Sequence, residues 1–217
     1  MEKIRVTTVR SAPTFAHGLV RDLRVRWALD EAGLAYVADT VADRADPAYR
    51  LRQPFGMVPA FEADGQGLFE TGAILHFLAE DSEALMPADR KGRAETLVWM
   101  FAALNTVEPP VWHLFLLDTQ RKDEPWAAPS RPTAVSTVEQ RLAALAAALG
   151  DREYLTGRFT VADILMATVL RFLRHTDLVA DFPTLAAYLR RCEARPAFQK
   201  AVRDQLDDYA RHAAVAA

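Results

Sequence analysis

The sequence predicts a chain of mixed class, α/β plus all-α, in which a sheet-containing domain precedes a helical one. Strand-like segments rich in β-branched residues occur only before residue 70, and the turn signal Asp64-Gly65 lies among them. After residue 90 the apolar residues recur with helical spacing, and Ala and Leu are frequent. We therefore expect domains at residues 1–80 and 92–217, joined by a polar, proline-containing linker at 81–91.

The first domain begins with a strand, a helix and a second strand. Residues 4–9 are β-branched and nearly alternate, residues 18–32 have apolar residues at every fourth position, and residues 36–41 again resemble a strand. The apolar positions of this helix are Leu19, Leu23 and Trp27. Two strands joined by a helix pair in parallel, so this segment predicts a βαβ unit.

The second part of the first domain has the pattern of a hairpin followed by a helix. A polar link at residues 42–56 leads into two apolar runs that flank Asp64-Gly65, a dipeptide that adopts the positive φ angles of tight hairpin turns. Residues 71–80 then read as a helix that begins at a good capping residue, Thr71. The first domain is therefore predicted to be βαβ followed by ββα.

Only helices are predicted in the second domain. Their ranges are 93–107, 135–149, 160–174, 184–194 and 197–209. The proline-rich stretch 124–132 is predicted to be an exposed loop between two of them.

The composition indicates a folded protein without a polyanionic partner. Of the 217 residues, 51% are hydrophobic and 25% are charged, and the formal net charge is -3. This excludes a disordered chain. The arginines alternate with Asp and Glu and form no basic stripe, so no binding to nucleic acid is expected.

The N-terminal sequence and the single cysteine bear on the compartment and on metals. Residues 1–5 lead directly into the first strand without the apolar core of a signal peptide, and no stretch reaches the roughly 18 apolar residues that span a bilayer. We expect a cytoplasmic protein without membrane insertion. Cys192 is the only cysteine, so neither an internal disulfide nor a cysteine-rich metal site is expected.

Three motifs resemble those of one enzyme family. Residues 53–61 read Gln-Pro-Phe-Gly-Met-Val-Pro-Ala-Phe, residues 69–74 read Phe-Glu-Thr-Gly-Ala-Ile, and residues 157–163 read Gly-Arg-Phe-Thr-Val-Ala-Asp. In this order and spacing they resemble the cytosolic glutathione S-transferases. The resemblance implies a thioredoxin-like N-terminal domain, an all-helical C-terminal domain of glutathione-transferase type, and glutathione as co-substrate without a metal.

The resemblance assigns glutathione binding to Val58, Pro59, Glu70 and Thr71. In the family the proline is cis, and the backbone of the residue before it pairs with glutathione as an added strand does. Thr71 and the amides at its helix start would bind the γ-glutamyl carboxylate, and Glu70 would pair with the ammonium. The alternatives are an ordinary turn proline and a Thr71 that acts only as a helix cap.

Thr160 and Asp163 have the spacing of a capping box, a Ser or Thr followed three residues later by an acid. The resemblance places this motif at the start of a buried helix of the C-terminal domain. We assign both residues to folding and not to catalysis.

The residue that activates the thiol is sought in the loop after the first strand. A thiol with a pKa of about 8.5 is mostly protonated at neutral pH, so the enzyme must stabilise the thiolate. Family members use Tyr, Ser or Cys near the end of the first strand, but the earliest tyrosine is Tyr36 and the only cysteine is Cys192. The candidates are therefore Ser11, then Thr14 and His17.

Other interpretations of this loop stay open. Arg10 would assist electrostatically, or the backbone amides at the helix start would stabilise the thiolate without a side chain. In that case the hydroxyls of the loop only satisfy turn groups, and His17 caps the helix.

The expected function is conjugation of glutathione with a small hydrophobic electrophile. A glutathione-dependent isomerase, dehalogenase or peroxidase would share the same motifs, and a non-catalytic binding protein on the same scaffold is a further alternative. The resemblance also implies a homodimer. Several residues of the helical domain either line the electrophile pocket or belong to the core: Trp99, Phe101, Asn105, Trp112 and Phe115.

Overall fold

The computed structural model describes residues 3–215, with side chains up to residue 212. The first two and last two residues of the predicted domains lie outside this range. Residue contacts divide the chain into two compact units, one formed by Met1–Leu85 with Arg195–Ala217 and the other by Met86–Ala194. The contacts thus group the last helix with the N-terminal residues, and the domain division at residues 80 and 92 stays a prediction.

The first unit contains a four-stranded mixed sheet. Its strands are β1 (Ile4–Val9), β2 (Tyr36–Val41), β3 (Ala60–Ala63) and β4 (Gln66–Phe69), and their order in the sheet is β2-β1-β3-β4. β1 pairs in parallel with β2 and antiparallel with β3, which itself pairs antiparallel with β4. Asp64 and Gly65 have φ angles of 48° and 74°, which confirms the predicted hairpin turn.

The register of the sheet brings three chain segments to one end. Thr7 on β1 is the partner of Ala60 on β3, and Ala60 is the partner of Phe69 on β4. The residues that follow Thr7 and Phe69 therefore leave the sheet at the same end as those that precede Ala60. This end carries the loop after β1, the Val58-Pro59 pair and the residue Glu70.

Four helices belong to the first unit: α1 (Asp22–Glu31), α2 (Pro47–Arg50), α3 (Thr71–Glu80) and α9 (Pro196–Val215). The predicted first helix begins four residues too early. Gly18 has a φ of 71°, which is incompatible with a helix, and only a short 3-10 turn, Thr14–Ala16, precedes it. α9 packs on α1, where the rings of Trp27 and Phe198 meet edge to face with centroids 4.8 Å apart.

The second unit is all-helical, as predicted. Its helices are α4 (Arg90–Phe101), α5 (Glu108–Asp118), α6 (Ala127–Leu149), α7 (Val161–Leu170) and α8 (Pro183–Glu193). A π-helical segment, Ala102–Val107, joins α4 to α5 just before a proline pair that lacks amide hydrogens. All ten residues of α7 are buried, so this helix forms the centre of the unit.

The predicted loop at residues 124–132 is wrong in its second half, because α6 begins at Ala127 and contains Pro132. Pro129 lies in the first turn, where amides have no partner within the helix, and Pro132 costs the helix only one hydrogen bond. Among the helices of residues 3–215, none has the combined length and apolar character that crossing a bilayer requires.

Candidate functional site

The chain that leads into Val58 is held in place by buried side chains. The Gln53 side-chain oxygen accepts hydrogen bonds from the amides of Phe55 and Met57, at 2.9 and 3.0 Å, and the Tyr49 hydroxyl donates to the Met57 carbonyl at 2.5 Å. Gly56 has a φ of 62°, and a β-carbon there would lie 2.8 Å from the Arg44 carbonyl oxygen. Only glycine fits this turn.

The peptide bond between Val58 and Pro59 is cis, as the resemblance implies. Pro59 is buried and Val58 is half-buried, and both precede the first residue of β3, Ala60. The Val58 amide and carbonyl thus lie beyond the paired part of the sheet. A peptide-like ligand can pair with such groups as an additional strand does.

Glu70 and Thr71 form the junction between β4 and α3. Glu70 is exposed with a φ of 70°, an unusual angle for a residue with a side chain, whereas Thr71 is buried as the first residue of the helix. The first helical hydrogen bond runs from the Ile74 amide to the Glu70 carbonyl, so the amides before Ile74 have no partner within α3. These amides and the helix dipole favour an anion here.

Arg24 adds a positive charge behind this helix start, and sequence reasoning missed it. Its Nη1 donates a hydrogen bond of 3.2 Å to the Thr71 hydroxyl oxygen, and the arginine is itself buried. Because Arg24 occupies a lone pair of the Thr71 hydroxyl oxygen, the hydroxyl hydrogen remains available for donation to a carboxylate. One sequence feature could have indicated that Arg24 is buried. The apolar residues Val25 and Leu29 leave α1 without a continuous polar face that would place the arginine in solvent.

The three candidates for thiol activation lie in the loop that follows β1, but in different environments. Ser11 is exposed two residues after the last residue of β1, and Thr14 is exposed at the start of the 3-10 turn. His17 is half-buried, with its Nε2 3.0 Å from the Ala12 carbonyl oxygen. It does not cap α1, which begins at Asp22, so that alternative is wrong.

Comparison with known proteins identifies the family of this chain. The model of the glutathione S-transferase N-terminal domain matches residues 23–81, and that of the glutathione S-transferase C-terminal domain matches residues 111–196. Glutathione S-transferase GstA of Escherichia coli O157:H7 is 30% identical, with 71% of this chain and 76% of that protein covered. The chain belongs to the glutathione S-transferase family.

Two further relatives of this transferase cover more of its length. Maleylacetoacetate isomerase of Rhizobium meliloti (strain 1021) is 30% identical over 84% of this chain and 91% of that protein. A glutathione transferase of Burkholderia graminis, solved with two glutathione molecules bound per subunit, has a TM-score of 0.79 and 26% identity. That comparison covers 93% of this chain and 88% of the other, which confirms the thioredoxin-like and all-helical fold.

Tyr36 lies away from the loop after β1, and Cys192 lies in the second unit. Tyr36 is the partner of Ile4 in the sheet, at the opposite end of β1 from Ser11, and burial raises the pKa of its hydroxyl to about 12. Cys192 is fully buried in α8, a helix of the second unit. That the transferase is of neither tyrosine nor cysteine type stays a prediction.

The capping box predicted at Thr160 and Asp163 is present at the start of α7. The buried Asp163 carboxylate accepts hydrogen bonds from the Leu155 amide at 3.0 Å, the Thr160 amide at 2.9 Å and the Tyr188 hydroxyl at 3.0 Å. Burial raises the pKa of this carboxyl to about 6, although the bonds from Leu155, Thr160 and Tyr188 oppose the shift. Asp163 thus links the start of α7 to the loop at Leu155 and, through Tyr188, to α8.

The aromatic candidates for the electrophile pocket differ in their packing. Trp112 and Phe115 stack with centroids 5.3 Å apart, and both contact the buried ring of Phe172. This cluster favours a packing role for them, whereas Phe101 and Asn105 are exposed at and within the π-helical segment. No group of three His, Cys, Asp or Glu side chains suited to a metal ion occurs among the described residues.

Proposed function

We propose that this transferase binds glutathione through Val58, Pro59, Glu70 and Thr71 and activates its thiol with Ser11. The second substrate is a small hydrophobic electrophile. The observation that carries the proposal is the register of the sheet, which brings the loop after β1, the cis-proline pair and the start of α3 to one end. Three segments distant in sequence thus surround one place for a ligand.

Two parts of glutathione, the cysteinyl and the γ-glutamyl residue, have chemically matched groups in this arrangement. The Val58 amide and carbonyl pair with the cysteinyl backbone, as an added strand would. The γ-glutamyl carboxylate is bound by the Thr71 hydroxyl and the amides at the start of α3, and Arg24 strengthens the positive potential there. The ammonium on the same carbon pairs with the exposed Glu70 carboxylate.

The reaction follows from the position of the cysteinyl sulfur near the loop after β1. A hydroxyl that donates a hydrogen bond to the sulfur stabilises the thiolate and lowers the pKa of the thiol. The thiolate then donates an electron pair to an electrophilic carbon, and the group displaced from that carbon leaves with its own electron pair. Ser11 is the first hydroxyl side chain after the end of β1.

The test is single replacement of Ser11, Thr14 and His17 by alanine. We expect Ser11→Ala to raise the pKa of bound glutathione and to lower kcat about tenfold, the equivalent of one hydrogen bond to an anion. The thiolate is followed by its ultraviolet absorbance as a function of pH, and Ser136→Ala, the same change at an exposed position of α6, is the matched control. If none of the three variants changes the thiol pKa, backbone amides stabilise the thiolate and our assignment is wrong.

An isomerase is the second candidate function, since the maleylacetoacetate isomerase of Rhizobium meliloti matches most of this chain. The two functions differ in what happens to glutathione. Conjugation consumes one glutathione for each product, whereas an isomerase returns it unchanged. Titration of free thiol during turnover with maleylacetoacetate, and with a panel of alkyl and aryl halides, separates the two reactions.

We further infer a homodimer, and exposed apolar side chains support it. The Phe55 patch on the first unit consists of Leu51, Phe55, Met57 and Phe69. Within it, Leu51 is 90% and Phe55 66% exposed, and the rings of Phe55 and Phe69 are 6.1 Å apart. The second unit exposes Val98 and Phe101 on α4. Apolar side chains exposed in such groups mark protein interfaces.

We expect Phe55→Glu to convert the dimer into monomers at micromolar concentration, because a charge in the interface must be desolvated without a partner. Sedimentation velocity measures the change. The matched control is Trp126→Glu, which places the same charge on an exposed aromatic outside the patch. A dimer that survives Phe55→Glu would show that this patch is not the interface.

We also infer a cytoplasmic location. Cys192 is a buried cysteine in its reduced form, and the cytosol, where glutathione keeps thiols reduced, supplies the proposed co-substrate. Fractionation of the native cells, with activity measured in each fraction, tests this location.

A further inference from the structure

The last helix of the chain holds the loop that precedes α1. Gln205 on α9 is fully buried, and its side-chain oxygen accepts a hydrogen bond of 3.1 Å from the Gly18 amide. Its side-chain nitrogen donates to the Val20 carbonyl at 3.2 Å and to the Asp22 carboxylate at 2.8 Å. One amide group on α9 therefore makes three hydrogen bonds to a stretch of five residues.

These three bonds need both a donor and an acceptor in the same side chain. Gly18 offers an amide hydrogen, whereas Val20 and Asp22 offer oxygens. A glutamine amide presents one oxygen and two hydrogens, so it matches all three groups. Because the site excludes water, any of these groups left without its partner would be destabilising.

A buried ion network fixes the position of Asp22 itself. Arg26 donates to Asp22 at 2.8 Å through Nε and to Asp208 of α9 at 2.6 Å through Nη2. Burial raises the pKa of the Asp22 carboxyl, and Arg26 and Gln205 oppose that shift. The start of α1 is thus attached to α9 by both ionic and neutral hydrogen bonds.

α9 also contacts the loop nearer to the candidate thiol-activating residues. The centroids of the Tyr209 and His17 rings are 5.4 Å apart, and the His17 Nε2 lies 3.0 Å from the Ala12 carbonyl oxygen. Apart from the 3-10 turn Thr14–Ala16, residues 10–21 belong to no strand or helix. Contacts with α9 therefore add to the turn hydrogen bonds within this loop, such as the bond from the Leu19 amide to the Ala16 carbonyl.

We propose that Gln205 is a positioning residue for thiol activation, which it serves by fixing the loop that carries Ser11, Thr14 and His17. The inference rests on the proposed function, in which a donor of this loop binds the thiolate. Gln205 itself does not contact glutathione. The binding groups Val58, Glu70 and Thr71 lie on other segments, so loss of Gln205 should affect the thiolate more than the affinity for glutathione.

The experiment compares Gln205→Met with Gln199→Met, which makes the same change at an exposed position of α9. Displacement of a catalytic group by about 1 Å can cost about a hundredfold in rate, and partial displacement should here lower kcat about tenfold. We expect the pKa of bound glutathione to rise by about 1 while KM for glutathione changes less than twofold. Gln199→Met should behave as the wild type.

A second variant and a second measurement distinguish a positioning role of Gln205 from a general loss of folding. Gln205→Asn keeps the amide but shortens its reach, so it should move kcat and the thiol pKa in the same direction with a smaller effect on the melting temperature. In the wild-type protein, hydrogen–deuterium exchange should show the Gly18 amide protected. Rapid exchange at Gly18, or a folded Gln205→Met enzyme with wild-type kcat and thiol pKa, would overturn the inference.

The result is distinguishable from a failure of the Ser11 assignment. If Ser11→Ala has no effect but Gln205→Met raises the thiol pKa, the loop acts through another donor and α9 still positions it. If Ser11→Ala raises the thiol pKa but both Gln205 variants leave it unchanged, the Ser11 assignment stands and the role of α9 is rejected.

Discussion

Replacement of Asp163 by alanine should lower the free energy of unfolding by about 4 kcal/mol, the expected cost of removing one charged member of a buried polar cluster. The variant would leave the Leu155 amide, the Thr160 amide and the Tyr188 hydroxyl buried without their acceptor. It would also remove the cap of α7, the helix at the centre of the second unit. Chemical denaturation of the variant and the wild type at the same pH measures the loss.

The matched control for this prediction is Asp151→Ala, at an exposed turn shortly before the same helix. Exposed substitutions of this kind change stability by about 0.5 kcal/mol or less. Asp163→Asn should fall between the two, since an amide oxygen still accepts but its nitrogen faces a donor. A loss from Asp163→Ala no larger than that from Asp151→Ala would show that the cap is dispensable.

Replacement of Glu70 by alanine should weaken glutathione binding by about 2 kcal/mol, roughly 30-fold, the contribution of a hydrogen bond between charged groups. The glutathione ammonium would lose its only proposed carboxylate partner. Glu70 is exposed, so the variant should keep the melting temperature of the wild type. Isothermal titration calorimetry with glutathione measures the change.

Glu80→Ala provides the matched control for Glu70→Ala, because Glu80 is the exposed last residue of α3, the helix that Glu70 precedes. It should bind glutathione as the wild type does. Glu70→Gln should give an intermediate affinity, since its carbonyl still accepts from the ammonium. Unaltered affinity in Glu70→Ala would contradict the proposed γ-glutamyl site.

Sequence patterns predicted the parts of the fold that depend on neighbouring residues. β1 and β2 have the predicted bounds, and the Asp64-Gly65 turn and the cap at Asp163 depend only on residues close in sequence. The start of the first helix was predicted wrongly. The helical spacing of apolar residues extends back to the residue after Gly18, but the backbone at Gly18 is not helical. A proline-rich segment was likewise assigned to a loop although α6 accommodates it.

The candidate site shows the same limit more clearly. Val58, Glu70 and Thr71 follow from a motif of adjacent residues, so the sequence identified them. Arg24 was missed because its contact with Thr71 joins two helices 47 residues apart. Gln205 was missed because it meets Gly18 across 187 residues, and nothing in the sequence around either residue indicates the other.

The grouping of α9 with the N-terminal residues has a consequence for synthesis of the protein. Residues 86–194 form a continuous unit that can fold as it emerges from the ribosome, whereas the unit that begins before it lacks α9 until residues 196–215 have been synthesised. Until then Gly18, Asp22 and Arg26 have no contact with Gln205 or Asp208. The unit whose synthesis begins first is therefore completed only after residues 86–194, and nascent chains stalled before residue 195 would expose the face of α1 that α9 covers.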